Sequence, residues 1–300
     1  MTGTIHVENL TKKFGQETAV EDVSFTLTPH TATALIGPNG AGKTTTLSML
    51  TKLLDPTSGT IVVEGRSDYD YRDKIGFLSQ YPKFYGWMNT LEYLEMAARL
   101  SGVDAKSARV ESEKALQFVG LGDVMKKKIA GFSGGMRQRL GLAQAIVHKP
   151  HFLFLDEPVS ALDPIGRREM LNLIKELQQS TTILYSTHIL NDAQEMTDQL
   201  LFMRKGQLIE QGSLRDIQKK YEDAHYEVHF TTAEDAASFV DASLLPARQE
   251  DHIVYIAIEQ EQPTMQEVLH QLVTQQHAIT KVERARVSLE DIFLKVVNGR

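Results

Sequence analysis

GPNGAGKTT, residues 37–45, follows the apolar run ATALI (32–36) and precedes a stretch of helical character over 43–53. Its spacing, Gly37-x4-Gly42-Lys43-Thr44, is that of a phosphate-binding loop. The residue types follow from the task. Glycines let successive backbone N–H groups curl around phosphate oxygens without Cβ clashes. A helix that starts there adds the positive end of its dipole. Lys43 would supply a point charge to the outer phosphates, and the Thr44 hydroxyl can ligate Mg²⁺. Gly37, Pro38, Asn39, Gly40, Ala41, Gly42, Lys43, Thr44 and Thr45 are therefore the candidate cradle. A chance glycine turn is the plain alternative, and the strand-then-helix setting weighs against it.

Such a site needs an acid at the end of a nearby buried strand. HFLFLDEP (151–158) is a continuous apolar run ended by two acids and a proline, the pattern of a strand covered on both faces. Asp156 ends it and is placed to hold Mg²⁺ through water. Glu157 follows and is a candidate general base for activating water. Simple strand termination would also put acids before a proline.

The surrounding chain alternates strands with helices, which predicts an α/β fold. TIHVENL, VSFTLT, ATALI, IVVEG (61–65), IGFLSQ (75–80), TILYSTH (182–188) and the pair in LLFMRKGQLIEQG read as strands. Helical spacing dominates from about 88 to 148, including FSGGMRQRLGLAQAIVH, and returns over 164–177. After about 220 the texture shifts to YEVHF, HIVYIAI, ITKVERAR and SLEDIFLKVV with helical pieces between. The expectation is a nucleotide-binding domain over 1–218, with a mostly parallel core sheet, an antiparallel β part and a helical subdomain at about 88–148. A small C-terminal α+β domain follows over 219–300.

Bulk composition narrows the function. The 300 residues are 42% apolar and 24% charged, ordinary for a globular chain with a sizeable core. Cysteine is absent, which removes disulfides, thiolate zinc sites and thiol nucleophiles, and fits a reducing compartment. There is neither a run of about 18 apolar residues nor a signal-peptide core at the start. The net charge of −7 is uneven: residues 221–300 carry 6 Lys/Arg against 14 Asp/Glu, and the first 220 carry 26 against 25. Neither part has the basic excess of a nucleic-acid binder. Five of the ten histidines (225, 229, 252, 270, 277) lie in the tail, without a linear spacing that marks a metal site.

With these residues in view, the chain resembles the ATP-binding subunits of ABC transporters over about 1–215. Beside the phosphate loop and FLFLDEP stand Gln80 (Q-loop), FSGGM (signature), SALD (D-loop) and His188 (H-loop), in the expected order. The resemblance implies two ATP molecules sandwiched in a head-to-tail dimer, with a copy of this chain or a close relative as the second subunit. It implies that Phe14 stacks on adenine, that Gln80 reaches Mg²⁺ and the attacking water, and that His188 contacts the γ-phosphate. Ser133, Gly134 and Gly135 would bind the γ-phosphate held by the other subunit, and Asp163 would lie at the dimer interface. Each also has a local reading: Ser133 as a helix cap, Asp163 before Pro164 as a helix start, Phe14 as strand packing. The signature commonly reads LSGGQ; Phe132 and Met136 replace its ends, which leaves phosphate contact intact and bears on ribose contacts or turnover.

The resemblance extends to a task. The segment after Gln80, YPKFYGWMNTLEYL, would receive a helix of a polytopic membrane permease, with Phe84, Tyr85, Trp87 and Met88 as its apolar lining. Packing within the helical subdomain is the alternative for each. The tail, above all SLEDIFLKVV (288–297), resembles the extension on ABC-2-type exporter ATPases. The expected place is the cytoplasmic face of the cell membrane, held there by the permease. Two other classes stay open: a soluble ATPase of nucleic-acid maintenance or translation, and a nucleotide-binding regulator that does not hydrolyse ATP. One nucleotide domain without heptads, and the acids and histidine in place, weigh against them.

Overall fold

The computed structural model describes residues 3–67, 70–221, 225–259, 262–275, 277–285 and 288–298; Arg286 of ITKVERAR lies outside the described residues. The chain runs through β1 (Ile5–Phe14), β2 (Glu17–Leu27), β3 (Ala32–Ile36), α1 (Lys43–Leu50), β4 (Ser58–Val63) and β5 (Ile75–Leu78). Then come α2 (Thr90–Leu100), α3 (Ala108–Phe118), α4 (Gly134–Ile146), β6 (Phe152–Asp156), α5 (Pro164–Gln178) and β7 (Thr182–Thr187). α6 (Leu190–Met196), β8 (Gln199–Arg204) and β9 (Gln207–Ser213) follow. These elements belong to one compact unit, Met1–Leu214.

Its central sheet has six strands in the order β5-β6-β7-β3-β8-β9. The first five are parallel, and β9 returns antiparallel to β8. Every residue of β3, β6 and β7 is buried. That is why those segments read as unbroken apolar runs: a parallel sheet covered on both faces has no wet side to alternate with. A smaller antiparallel sheet, β2-β1-β4, shares a core with α1 and the large sheet, in which Leu10, Val23, Leu47, Leu50 and Phe154 meet.

The helices α2, α3 and α4 pack on one another, and α4 packs on β5. Their starts are chemically marked. Asn89 accepts from the Glu92 N–H, and the Glu92 side chain accepts from the Asn89 N–H, a capping box at the head of α2.

The second unit, Arg215–Arg300, holds α7 (Leu214–Lys220), β10 (His225–Phe230), α8 (Ala233–Ala242), β11 (Ala247–Glu250), β12 (Ile253–Ala257), α9 (Met265–Gln275), β13 (Ile279–Ala285) and α10 (Leu289–Asn298). A domain limit at 218/219 falls inside α7; the division lies at its head. The four strands form an antiparallel sheet, β11-β12-β10-β13. Tyr226, Val228 and Phe230 of β10 join Phe239 of α8 and Val268 and Leu272 of α9 in a separate core. Alternation along β10 leaves His225, Glu227 and His229 on the opposite, half-buried face.

Candidate active site

Four neighbouring strands of the parallel sheet end on candidate residues. Gly37 follows β3, Asp156 closes β6, His188 follows β7, and Gln80 lies two residues beyond β5. Ligands of open α/β sheets bind outside such carboxyl ends. A cavity of about 740 Å³ lies there, lined by Phe14, Thr18, residues 39–45, Gln80, Glu157 and the turn Lys205–Gly206.

Close backbone approach shapes the loop. A Cβ on Gly37 would sit 2.4 Å from the Met203 carbonyl oxygen. Gly42 has φ 101°, and a Cβ there would lie 2.7 Å from the Ala19 carbonyl oxygen. Neither position tolerates a side chain. Lys43, at the first turn of α1, is buried; its Nζ donates to the carbonyls of Gly37 (2.7 Å) and Pro38 (3.2 Å). Burial lowers the Lys43 pKa from its ordinary value, and the charges of Glu157 and Asp156 oppose that shift. The ammonium is thus held by carbonyl dipoles and acids in a desolvated pocket, where a point charge acts strongly.

Glu157 is the centre of the second cluster. It is buried, with Oε1 3.7 Å from Lys43 Nζ and Oε2 accepting from His188 Nδ1 at 2.6 Å. Its φ of 50° is left-handed, a conformation that costs a non-glycine residue about 1–3 kcal/mol and collects at functional sites. Ser186 holds this turn. Its Oγ accepts from the Glu157 N–H at 2.9 Å and donates to Asp156 Oδ1 at 2.6 Å. One hydroxyl in the middle of the sheet therefore fixes both acids.

Thr44, Gln80 and Asp156 offer only oxygen: a hydroxyl, an amide carbonyl and a carboxylate. That donor set fits a hard divalent cation such as Mg²⁺ and suits soft metals poorly. Phe14 is half exposed at the cavity wall, with Lys12 Nζ 5.3 Å from its ring centre. It is not a core residue of its strand.

Ser133, Gly134, Gly135 and Asp163 are not among the residues lining this cavity. Ser133 caps α4, accepting from the Met136 N–H at 3.2 Å, and Asp163 caps α5, accepting from the Gly166 N–H at 3.1 Å, with Pro164 at the first position. A Cβ on Gly135 would lie 3.4 Å from Leu162 Cδ2, so FSGGM and SALD run side by side. Phe132 is buried, which explains why a bulky apolar residue is accepted at the head of the signature.

The segment after Gln80 divides. Tyr81, Tyr85 and Trp87 are exposed, with Tyr85 and Trp87 rings 6.1 Å apart. Phe84 is half-buried, edge-on to Tyr93 at 5.2 Å, and Met88 is buried. Met88 and Phe84 thus pack the helical part, as the alternative reading had it, and the surface is carried by the other aromatics.

Sequence reasoning missed Ser186, Thr18 and the Lys205–Gly206 turn. The Lys205–Gly206 turn is tied in by the Gly206 N–H to Ala41 carbonyl bond at 3.0 Å and by the Glu21 N–H to Gly206 carbonyl bond at 2.8 Å. The available signals were weak: a serine near the end of a buried strand, and a Lys-Gly turn between two strands.

Comparison with known proteins adds an independent line. The profile of the ABC transporter family matches residues 20–160, and that described as ATP-binding protein DrrA1-3-like, C-terminal domain, matches residues 212–297. The ABC transporter ATP-binding protein YxlF of Bacillus subtilis (strain 168) is 40% identical over 98% of this chain and 100% of its own length. The bacitracin transport ATP-binding protein BcrA of Enterococcus faecalis is 32% identical over 100% of this chain and 98% of its own. Among solved structures, a dimeric ATP-binding cassette in a post-hydrolysis state with ADP and Pi matches with TM-score 0.65 and 25% identity, over 70% of this chain and 99% of that one. An ATP-binding subunit of an ABC transporter matches with TM-score 0.66 and 29% identity, over 72% and 92%.

Proposed function

The chain belongs to the ABC transporter ATP-binding family and is an ATPase; on that premise we propose that it powers a separate polytopic permease of an exporter, from the cytoplasmic face of the cell membrane. Two ATP-binding subunits, copies of this chain or close relatives, close head to tail on two ATP molecules. Hydrolysis reopens them. The full-length match to relatives named for bacitracin transport and the DrrA1-3-like tail support the exporter reading. No helix among the described residues is long and apolar enough to cross a membrane, so in this reading the cargo path belongs to the partner.

In this reading the geometry and the family resemblance together suggest the residue roles. The N–H groups of residues 39–45 and the Lys43 ammonium cradle the phosphates. Phe14 offers its exposed ring to the adenine. Glu157 takes the proton of the attacking water, and His188 orients that carboxylate and contacts the γ-phosphate. Gln80 positions the water. Thr44, Asp156 and Gln80 would hold Mg²⁺, which when bound neutralises charge on the β- and γ-phosphates. Ser133, Gly134 and Gly135 lie at an exposed helix start outside their own chain's cavity, which suits them to the nucleotide of the opposite subunit. Asp163 stands beside them at the interface. Tyr81, Tyr85 and Trp87 receive the permease, and the second unit contributes dimer contact or regulation.

The observation that carries the chemistry is Glu157, buried between Lys43 and His188 at the wall of the loop-lined cavity. Glu157→Gln should lower phosphate release by about 10²–10⁴-fold while ATP still binds. A variant that hydrolyses ATP at the parental rate removes Glu157 as the base. For the transport role, a gentle-detergent pull-down of the tagged chain with mass spectrometry should recover a stoichiometric polytopic membrane protein. Recovery of soluble protein or nucleic acid alone, with ATPase intact, would favour the non-transport class.

A further inference from the structure

The half-buried face of the second unit's sheet carries a cluster that the ATPase reading does not use. β10 presents His225, Glu227 and His229 on that face at every second residue. The register sets Glu227 directly opposite Glu283 of β13. Like charges facing across an antiparallel pair are unfavourable, so the arrangement calls for a cation. Lys281 bonds one oxygen of Glu283. Two imidazoles stand close to Glu227: His225 Nε2 at 3.4 Å and His229 Nε2 at 3.6 Å.

We propose that Glu227, His229 and Glu283 form a binding site for a divalent transition-metal ion of the zinc class. One ligand atom from each of the three lies within 4.8 Å of the other two. The 3.6 Å between His229 Nε2 and Glu227 Oε2 is too long for a hydrogen bond. It matches the separation of roughly 3.4 Å that two ligands take across a tetrahedral zinc ion at about 2.1 Å. Among the described residues, His229 Nε2 is also buried without a hydrogen-bond partner. A buried imidazole nitrogen left unpaired 3.6 Å from a carboxylate is a lone pair or an N–H in search of a partner, and a metal between the two satisfies both. Two carboxylates and one imidazole select a borderline cation over Ca²⁺ or Mg²⁺, which prefer oxygen alone. The linear histidine pattern conceals this site because β13 supplies its third ligand from more than fifty residues away.

A metal here would cross-link β10 to β13, the strand that leads into α10, and stabilise the second unit by mass action. The test is a Zn²⁺ titration of the full-length, tag-free, chelator-treated protein by calorimetry, with Co²⁺ absorption reporting the ligand set. One saturable equivalent is expected, with a visible Co²⁺ band of low-symmetry nitrogen–oxygen ligation. His229→Ala and Glu283→Gln should each weaken Zn²⁺ binding at least about tenfold, while circular dichroism and ATPase activity match the parent and certify folding. His188→Ala, which removes a histidine–glutamate pair of the first unit, should leave the Zn²⁺ isotherm unchanged. Absence of saturable binding, or an isotherm unaltered in His229→Ala, would overturn the proposal.

Discussion

β6 in the first unit buries all five residues of FLFLD, whereas β10 in the second alternates buried and half-buried residues along HYEVHF. The first sheet is parallel and covered on both faces, so polar groups find room only where its strands stop. Asp156, Glu157 and His188 sit at such stops. The second sheet is antiparallel with α8 and α9 on one face, and polar residues stand in mid-strand on the other. Sheet type thus decides where titratable groups collect: at an edge shared by several strands in one unit, and across a face in the other. An edge gathers residues from distant stretches of chain around one cavity. A face gathers them by register, two residues apart on one strand and opposite on the next.

If each sheet rests on its own core, large deletions should act on one unit at a time. Phe154→Ala in β6 and Phe239→Ala in α8 each remove a fully buried ring and should each cost about 3–5 kcal/mol. Denaturant unfolding followed by ATP binding separates them. Phe154→Ala should abolish nucleotide binding at lower denaturant, and Phe239→Ala should leave its midpoint where it was. Loss of ATP binding in Phe239→Ala at the same denaturant as in Phe154→Ala would break the comparison.

The strand-end argument has a sharper test in Ser186. Its hydroxyl bonds the Glu157 N–H and Asp156. Ser186→Ala leaves a buried N–H without its partner, a cost of about 1–3 kcal/mol. It also frees the left-handed turn that aims Glu157. Thermal melting should fall and phosphate release should slow, with ATP affinity little changed. Parental turnover in this variant would mean that the turn is held by the sheet alone.

How legible the site was follows the same physics. A strand buried on both faces leaves a continuous apolar run, so β3, β6 and β7 could be read directly, and with them the four strand-end residues. The phosphate loop was legible because its glycines answer to steric limits within nine residues. What stayed hidden depends on pairs far apart in sequence. The contact of Glu157 with Lys43, the Ser186 bridge and the Gly206 turn against Ala41 are set by strand order, which local pattern does not encode. Whether Phe84 and Met88 line a surface or pack the helical part stayed open for the same reason: an apolar residue in an aromatic stretch does not announce which side of a helical layer it faces. In the second unit the alternation of YEVHF marked a strand, but the facing of Glu227 and Glu283 required the register.

The smallest expected effects come from two helix caps that use one device in both units. Thr232 caps α8 by accepting from the Asp235 N–H at 3.1 Å, and Asp163 caps α5 by accepting from the Gly166 N–H at 3.1 Å. Loss of either cap should cost about 1 kcal/mol. Thr232→Ala should therefore lower stability slightly and leave ATPase turnover alone. Asp163 is different if it also serves the dimer interface, and the separation needs a second substitution. Asp163→Ala removes cap and charge together; Asp163→Ser restores the cap without the charge, since serine is an equally good N-cap. If Asp163 acts only on its own helix, the serine variant regains both the stability and the turnover lost in the alanine variant. If its carboxylate works across the dimer, melting recovers in Asp163→Ser and turnover does not. Only the second result gives the two caps different jobs, and it would place that job at the start of α5, beside the signature helix rather than within the cavity.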